Sequence, residues 1–414
     1  MKGAYRKDNT VFIHGEFSVV DLRRPLVALH KIVAELGYRD LTIDFSDCSA
    51  AFPAPMLGLC AQVMKLREGG VDIGFSWPRD ERLWRLFKNA NWAHLLDPSA
   101  HDPSTFKGHT QVPATQYRTA DDQRRATNRI VNAILGAIQN IERSDFAALE
   151  WALNEITDNV LVHAESPIGG LVQVSTFQRL RKRVQFIVAD CGFGIPNTLR
   201  QGKPEITSDV DALDKAIREG VTRNVNIGQG NGLFGSFQIC SQSNGFFEIA
   251  SGWATLVYRD GPGLRIQPEP SPYDGTLVVM ELDFSNPRLL GEALKFGGKV
   301  HRPYADFVEK TYEELEGEDV IFRIANESDS FGSRVAGTPL RTKLVNLMKM
   351  CPDQRIIIDF SDVPLISSSF ADELIGKLFL ELGPIIFMNR FKIRSVSQIV
   401  QMLLDKAIAQ RMRQ

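Results

Sequence analysis

Asn154-Glu155-Ile156-Thr157-Asp158-Asn159, Asp190-Cys191-Gly192-Phe193-Gly194 and Gly228-Gln229-Gly230-Asn231-Gly232-Leu233-Phe234-Gly235 follow one another in that order. The first lies in Ser144–Ala164, where Phe146, Leu149, Leu153, Ile156 and Val160 recur at helical spacing. Glu155 and Asn159 are four residues apart, so they share a helix face one turn from each other. An amide oxygen placed there can enter the octahedral shell of Mg²⁺, whose other positions come mostly from phosphate and water. The neighbouring carboxylate can accept a proton from an attacking water or hydroxyl. A solvated polar helix face is the competing explanation, and one short motif does not choose between the two.

The other two motifs decide more. Val184–Ala189 reads as a strand with Asp190 at its end, just before Gly192 and Gly194. Glycine there permits positive φ and a close backbone approach to a flat ligand. An aspartate at that strand end can accept a hydrogen bond from an exocyclic amine such as that of adenine. An ordinary Asp-x-Gly turn would use the same residues. The third motif leads into Leu233–Ser241, a helix start, and glycine-rich backbone feeding a helix N-terminus is a phosphate site.

Glu155/Asn159, Asp190-x-Gly192-x-Gly194 and Gly228-x-Gly230-x-Gly232-Leu233 resemble the N box and the two glycine boxes of the GHKL ATPases. The wording from Asn154 to Ala164 is most similar to the anti-sigma-factor serine-kinase branch, and the resemblance covers roughly residues 120–285. It implies that ATP and Mg²⁺ are bound, with Asn159 holding the metal and Glu155 as general base. Asp190 would read the adenine amine beside Gly192 and Gly194. Gly228, Gly230, Gly232 and Leu233 would wrap the phosphates. Gly275-Thr276 resembles the late threonine that supports the adenine aspartate. Residues 195–227 would form the ATP lid, where Lys203, Arg218 and Arg223 are either phosphate contacts or solvated loop charges.

A repeat flanks this region. Leu41-Thr42-Ile43-Asp44-Phe45-Ser46-Asp47 and Ile356-Ile357-Ile358-Asp359-Phe360-Ser361-Asp362 are both apolar strands that end in Asp-Phe-Ser-Asp. Each is followed by an apolar helix (Ala54–Leu66, Ser369–Leu380), a strand (Val71–Ser76, Pro384–Met388) and another helix, with Trp84, Leu86 and Phe87 or Ile399, Met402 and Leu403. Both units resemble STAS domains, the fold of anti-sigma-factor antagonists. That resemblance implies a protein partner and places a phosphoacceptor at Ser368 or Ser369. Ser367 and Phe370 stand where the family has aspartate and glycine, and helix capping is the competing role for these serines. The first copy has Ala54-Pro55 at that turn, which suits a docking or dimerisation module.

The expected architecture is a multidomain α/β and α+β protein, with a central GHKL-like α/β sandwich between two small STAS-like α/β domains. The boundaries read 1–97, a Pro/Gly-bearing linker 98–121, 122–285, a connector 286–317 holding an acidic helix from Tyr304 to Glu316, and 318–414. A formal net charge of −2 offers no global basic field for nucleic acid. The run Arg179-Leu180-Arg181-Lys182-Arg183 fits a hairpin between strands. Cys48, Cys60, Cys191, Cys240 and Cys351 form no paired motif, which suits a reducing, cytoplasmic setting. No apolar run suggests secretion or a membrane span. His101 and His109 lie in the linker and no His occurs in 110–162, which disfavours a sensor histidine kinase. The resulting expectation is an ATP-dependent signalling switch acting through STAS-like arms, with a homodimer allowed. The alternatives are a serine/threonine kinase that phosphorylates a STAS domain, and a non-catalytic scaffold.

Overall fold

In the computed structural model the chain is an α/β multidomain protein. All residues are described except 1–2, 19–20, 108–110, 178–181, 219, 221–231, 286–294, 297–298, 301–305, 314–318 and 414. Two compact units form: residues 1–130 with 151–301, and residues 131–150 with 302–414. Among the described residues, no helix is long and apolar enough to cross a membrane. The five cysteines are free and buried.

The first unit begins with a mostly parallel sheet. Its strands β1 (Gly3–Lys7), β2 (Thr10–Phe17), β3 (Asp40–Asp44) and β5 (Asp72–Ser76) lie side by side, and β4 (Cys48–Ala51) pairs with β2. Helix α1 (Arg23–His30) precedes β3, α2 (Pro53–Glu68) links β4 to β5, and α3 (Glu81–Asn89) and α4 (Trp92–Leu96) follow. Every residue of α2 from Ala54 to Val63 is buried. A helix that is apolar all round needs a partner on both sides. The second partner of α2 is the central sheet.

That sheet is antiparallel in the order β6 (Gln111–Tyr117), β7 (Gly170–Phe177), β8 (Arg183–Asp190), β10 (Gly263–Asp283) and β9 (Phe246–Arg259). A β-carbon on Gly58 of α2 would lie 3.1 Å from Leu277 of β10, and Tyr273 Oη donates to the Gly58 carbonyl at 3.4 Å. Buried Trp92 donates from Nε1 to Gln173 Oε1 of β7 at 2.9 Å. Ile168, Leu171, Ile187, Leu277 and Val279 belong to the same apolar core as Val11, Ile43 and Leu57. The expected boundary at residue 97 therefore does not separate two cores. The expected linker 98–121 also contributes structure, because β6 falls within it. Pro113 is tolerated because β6 is an edge strand with a register irregularity between Val112 and Thr115. Of the basic run, residues 179–181 lie outside the described residues, and Arg183 pairs with Glu281 and with Asp283 of β10.

The second unit carries a parallel sheet of β11 (Val320–Arg323), β12 (Ile356–Asp359) and β13 (Phe391–Arg394). The repeated tetrapeptide makes one hydrogen-bond pattern in both units. Asp44 Oδ1 accepts from Ser46 N–H at 2.7 Å and Asp359 Oδ1 from Ser361 N–H at 2.9 Å. Phe45 N–H donates to the Ser76 carbonyl and Phe360 N–H to that of Arg394, each at the end of the neighbouring strand. Cys48 and Val363 close the turns onto the Phe45 and Phe360 carbonyls.

One expectation in this unit is corrected. Pro384–Met388 is helical, inside Lys377–Arg390, and the strand comes later, at Phe391–Arg394. Gly383, with φ 74°, kinks the helix, and Pro384 then starts a further helical turn where its missing N–H costs nothing. In the last helix, Gln398–Met412, the buried residues are Val400, Leu404 and Ala407, while Ile399 and Met402 are exposed. The acidic connector helix is described as Phe307–Tyr312.

The end of α5 (Ala120–Ala137) is tied into this unit by Asn346, which is fully buried. Its Nδ2 donates to the Leu135 and Ile138 carbonyls at 2.8 and 2.7 Å, and its Oδ1 accepts from Asn140 N–H at 2.8 Å. Replacement by leucine leaves these buried groups unpaired, and each such group costs roughly 1–3 kcal/mol. Asn346→Leu should therefore lower stability by about 3 kcal/mol or more in urea unfolding monitored in this unit. A loss below about 1 kcal/mol would mean that other partners satisfy those groups.

Candidate functional site

Asp190 ends β8 and is 3% exposed. Gly192 N–H donates to its Oδ1 at 2.8 Å, and the Thr276 backbone N–H also bonds to the carboxylate. Burial outweighs these two donors and pushes the carboxyl up to about 7. The late threonine expected from the sequence thus stands beside the aspartate. Gly275 makes this possible: its φ is +91°, and a β-carbon there would lie 2.6 Å from Asp190 Oδ1. Gly194, with φ +74°, packs as closely, 2.8 Å from the Gly275 carbonyl and from Ser251 Oγ by the same measure. Ser251 is buried, accepts from Ile195 N–H at 2.9 Å and donates to the Gly275 carbonyl at 2.6 Å. It fastens the glycine loop to β10, a role without any local sequence signal.

Helix α6 (Arg143–Asn159) continues as a wide turn, Val160–Ala164, and holds Glu155 and Asn159 half-buried. The Ala164 carbonyl accepts from Phe193 N–H at 2.7 Å, so the end of the first motif abuts the second. Burial, then the nearby Asp158 charge, raise the Glu155 carboxyl above the ordinary glutamate value. The third motif meets the first at α9 (Gly232–Gln242): a β-carbon on Gly232 would lie 2.5 Å from Glu155 Oε2. Leu233 follows in the first turn. Gly228 and Gly230 lie outside the described residues, as does Arg223. Between the boxes stand α7 (Gly194–Gly202) and α8 (Asp209–Ala216), packed through Leu199, Ile206 and Ala212. Arg218 pairs with Asp214 one turn away, which fits the solvated-charge reading, and Lys203 caps the C-terminus of α7.

The C-terminal unit has the strand–helix alternation and the Asp-Phe-Ser-Asp turn described above. The family described as "STAS-like domain of unknown function (DUF4325)" matches residues 336–401. Residues 336–401 are a STAS-like domain. The comparisons with curated proteins and with solved structures give no match. In the STAS-like domain Ser367 is the helix cap, its Oγ accepting from Phe370 N–H at 3.0 Å. Ser368 is exposed in the first turn, and Ser369 Oγ lies 3.0 Å from Ser367 Oγ. Capping therefore falls to Ser367, which leaves the exposed Ser368 hydroxyl uncommitted to it. The acidic helix face beyond is held by cations: Glu373 is buried among Arg341, Lys377 and Arg334.

Proposed function

We propose that this protein is a GHKL-type, Mg²⁺-dependent ATP-binding switch whose nucleotide state is transmitted to protein contacts made by its STAS-like domain. One observation carries the reading: the separately spaced motifs converge, Asp190 with Thr276 and Gly192, and Glu155 with Gly232. The donor set fits the nucleotide. Asp190 offers a buried carboxylate to an exocyclic amine, and Asn159 offers an amide oxygen for the metal. Gly232 brings the N-terminal turn of α9 against the carboxylate end of the Glu155 side chain. When bound, ATP supplies the γ-phosphoryl group whose presence or absence distinguishes two states of the lid. Glu155, with its raised affinity for a proton, is suited to hold one taken from an attacking hydroxyl.

A second reading rests on the family match. A STAS-like domain is sufficient for a scaffold that works through protein contacts without catalysis. Calorimetry with ATP and Mg²⁺, followed by incubation with γ-labelled ATP, separates the two. Binding with release of free phosphate supports the ATPase switch. Label retained on the protein supports the serine/threonine kinase form, and a phosphopeptide spanning Leu365–Glu373 is then the expected product, with Ser368 ahead of Ser369. No binding at millimolar ATP leaves the scaffold.

A further inference from the structure

Asp274 and Gly275 are weakly held by the sheet to which they belong. The ladder of β10 with β9 loses its register between Tyr273 and Thr276, and the ladder with β8 begins at Leu277. Yet Gly275 and Thr276 are the groups that seat Asp190. What holds this segment comes from elsewhere. Ser251 grips the Gly275 carbonyl from β9, and further contacts come from α2. Gln62 is 7% exposed and donates from Nε2 to the Asp274 carbonyl at 2.8 Å, and Lys65 Nζ pairs with Asp274 Oδ2 at 2.8 Å.

We infer that Gln62 and Lys65 of α2 are positioning residues for the nucleotide-base pocket, which makes the N-terminal layer a built-in regulator of that pocket. The inference rests on Asp190 being the base reader. The coupling is short: α2 fixes the Asp274 backbone, Asp274 fixes Gly275 and Thr276, and these fix the Asp190 carboxylate. Gly58 and Tyr273 anchor the same helix to the same strand one turn earlier. The linkage also has an accessible end. The Lys65–Asp274 pair is 36% and 48% exposed by side chain and lines a cleft of about 360 Å³ with Gly192, Phe193 and Gly275. A partner or ligand that draws Lys65 off Asp274 would loosen the seat of Asp190 without touching the nucleotide.

The test uses the full chain and compares ATP with GTP, because a misplaced Asp190 should blunt the choice of base. Gln62→Ala and Lys65→Ala should each weaken ATP binding by about three- to tenfold, the range expected for one net hydrogen bond or a charge-assisted contact. Both should also narrow the ATP/GTP preference, and Lys65→Arg should restore it. Trp92→Phe removes the contact to Gln173 and loosens the same layer elsewhere, so it should leave that preference unchanged. Should Gln62→Ala not fold, Lys65→Glu at the exposed end carries the test. Wild-type ATP affinity and base preference in the Lys65 variants would overturn the inference while leaving the nucleotide site standing. Absence of ATP binding by the unmodified chain would overturn both.

Discussion

Asp190→Asn should raise the dissociation constant for ATP by about 10- to 150-fold. The figure is the loss of a hydrogen bond to a charged group, roughly 1.5–3 kcal/mol, at about 1.4 kcal/mol per tenfold. The asparagine is nearly isosteric and keeps an oxygen for the Gly192 N–H, so the fold should survive. A pH titration gives a second readout. Burial raises the Asp190 carboxyl to about 7, so below that pH the free protein holds it protonated, and a protonated carboxyl is a poorer acceptor for an amine. Wild-type affinity should therefore weaken as pH falls through 7, and the asparagine variant should show a flat profile over that range. Stability runs in the opposite sense. Because the folded value lies above the unfolded one, the contribution of this group is fully present below the unfolded value near 3.9 and is lost as pH rises through about 7. Calorimetry at several pH values measures both. Wild-type affinity in Asp190→Asn would remove this residue from the base pocket.

Glu155→Ala should keep ATP binding within a few-fold and reduce turnover by about 10²–10⁴-fold, the usual contribution of a general base. The geometry separates its role from that of Asp190: Glu155 faces the α9 N-terminus, whereas Asp190 sits at the far end of the glycine loop. Asn159→Ala should show the complementary pattern, with binding that no longer responds to Mg²⁺. Phosphate release over time, with affinity measured in parallel, checks all three variants. Wild-type turnover in Glu155→Ala would end the catalytic assignment and leave the STAS-like scaffold as the better account.

The parts of this molecule that were readable in its sequence are those made by local rules. Glu155 and Asn159 share a face because four residues make about one helical turn. The Asp-Phe-Ser-Asp turn repeats because an aspartate oxygen reaches the N–H two residues on, wherever that tetrapeptide closes a strand. Thr276 was legible only as a two-residue match, although it stands against Asp190. Ser251 and Gln62 were not legible, since each acts on a backbone carbonyl far along the chain. The burial of α2 left a trace that was available: the run from Ala54 to Val63 has no polar face beyond Gln62, which signals cover on both sides. The strand at Pro384–Met388 was misplaced because three apolar residues in a row, Ile385 to Phe387, suit strand or helix equally, and the Gly383 kink decided for helix.

The double-sided burial of α2 also bears on how the chain is made. A ribosome delivers Gln62 long before Asp274, 212 residues later. At roughly 5–20 residues per second, about 10–40 s pass before the covering strand emerges. Throughout that interval the N-terminal sheet can close over one side of α2, while the opposite side, with Gly58 and its apolar neighbours, stays open to water. The nascent chain therefore presents a sticky surface that later synthesis must cover. Fragments that end before β10 should need a chaperone or a solubilising fusion, however completely their own sheet has formed.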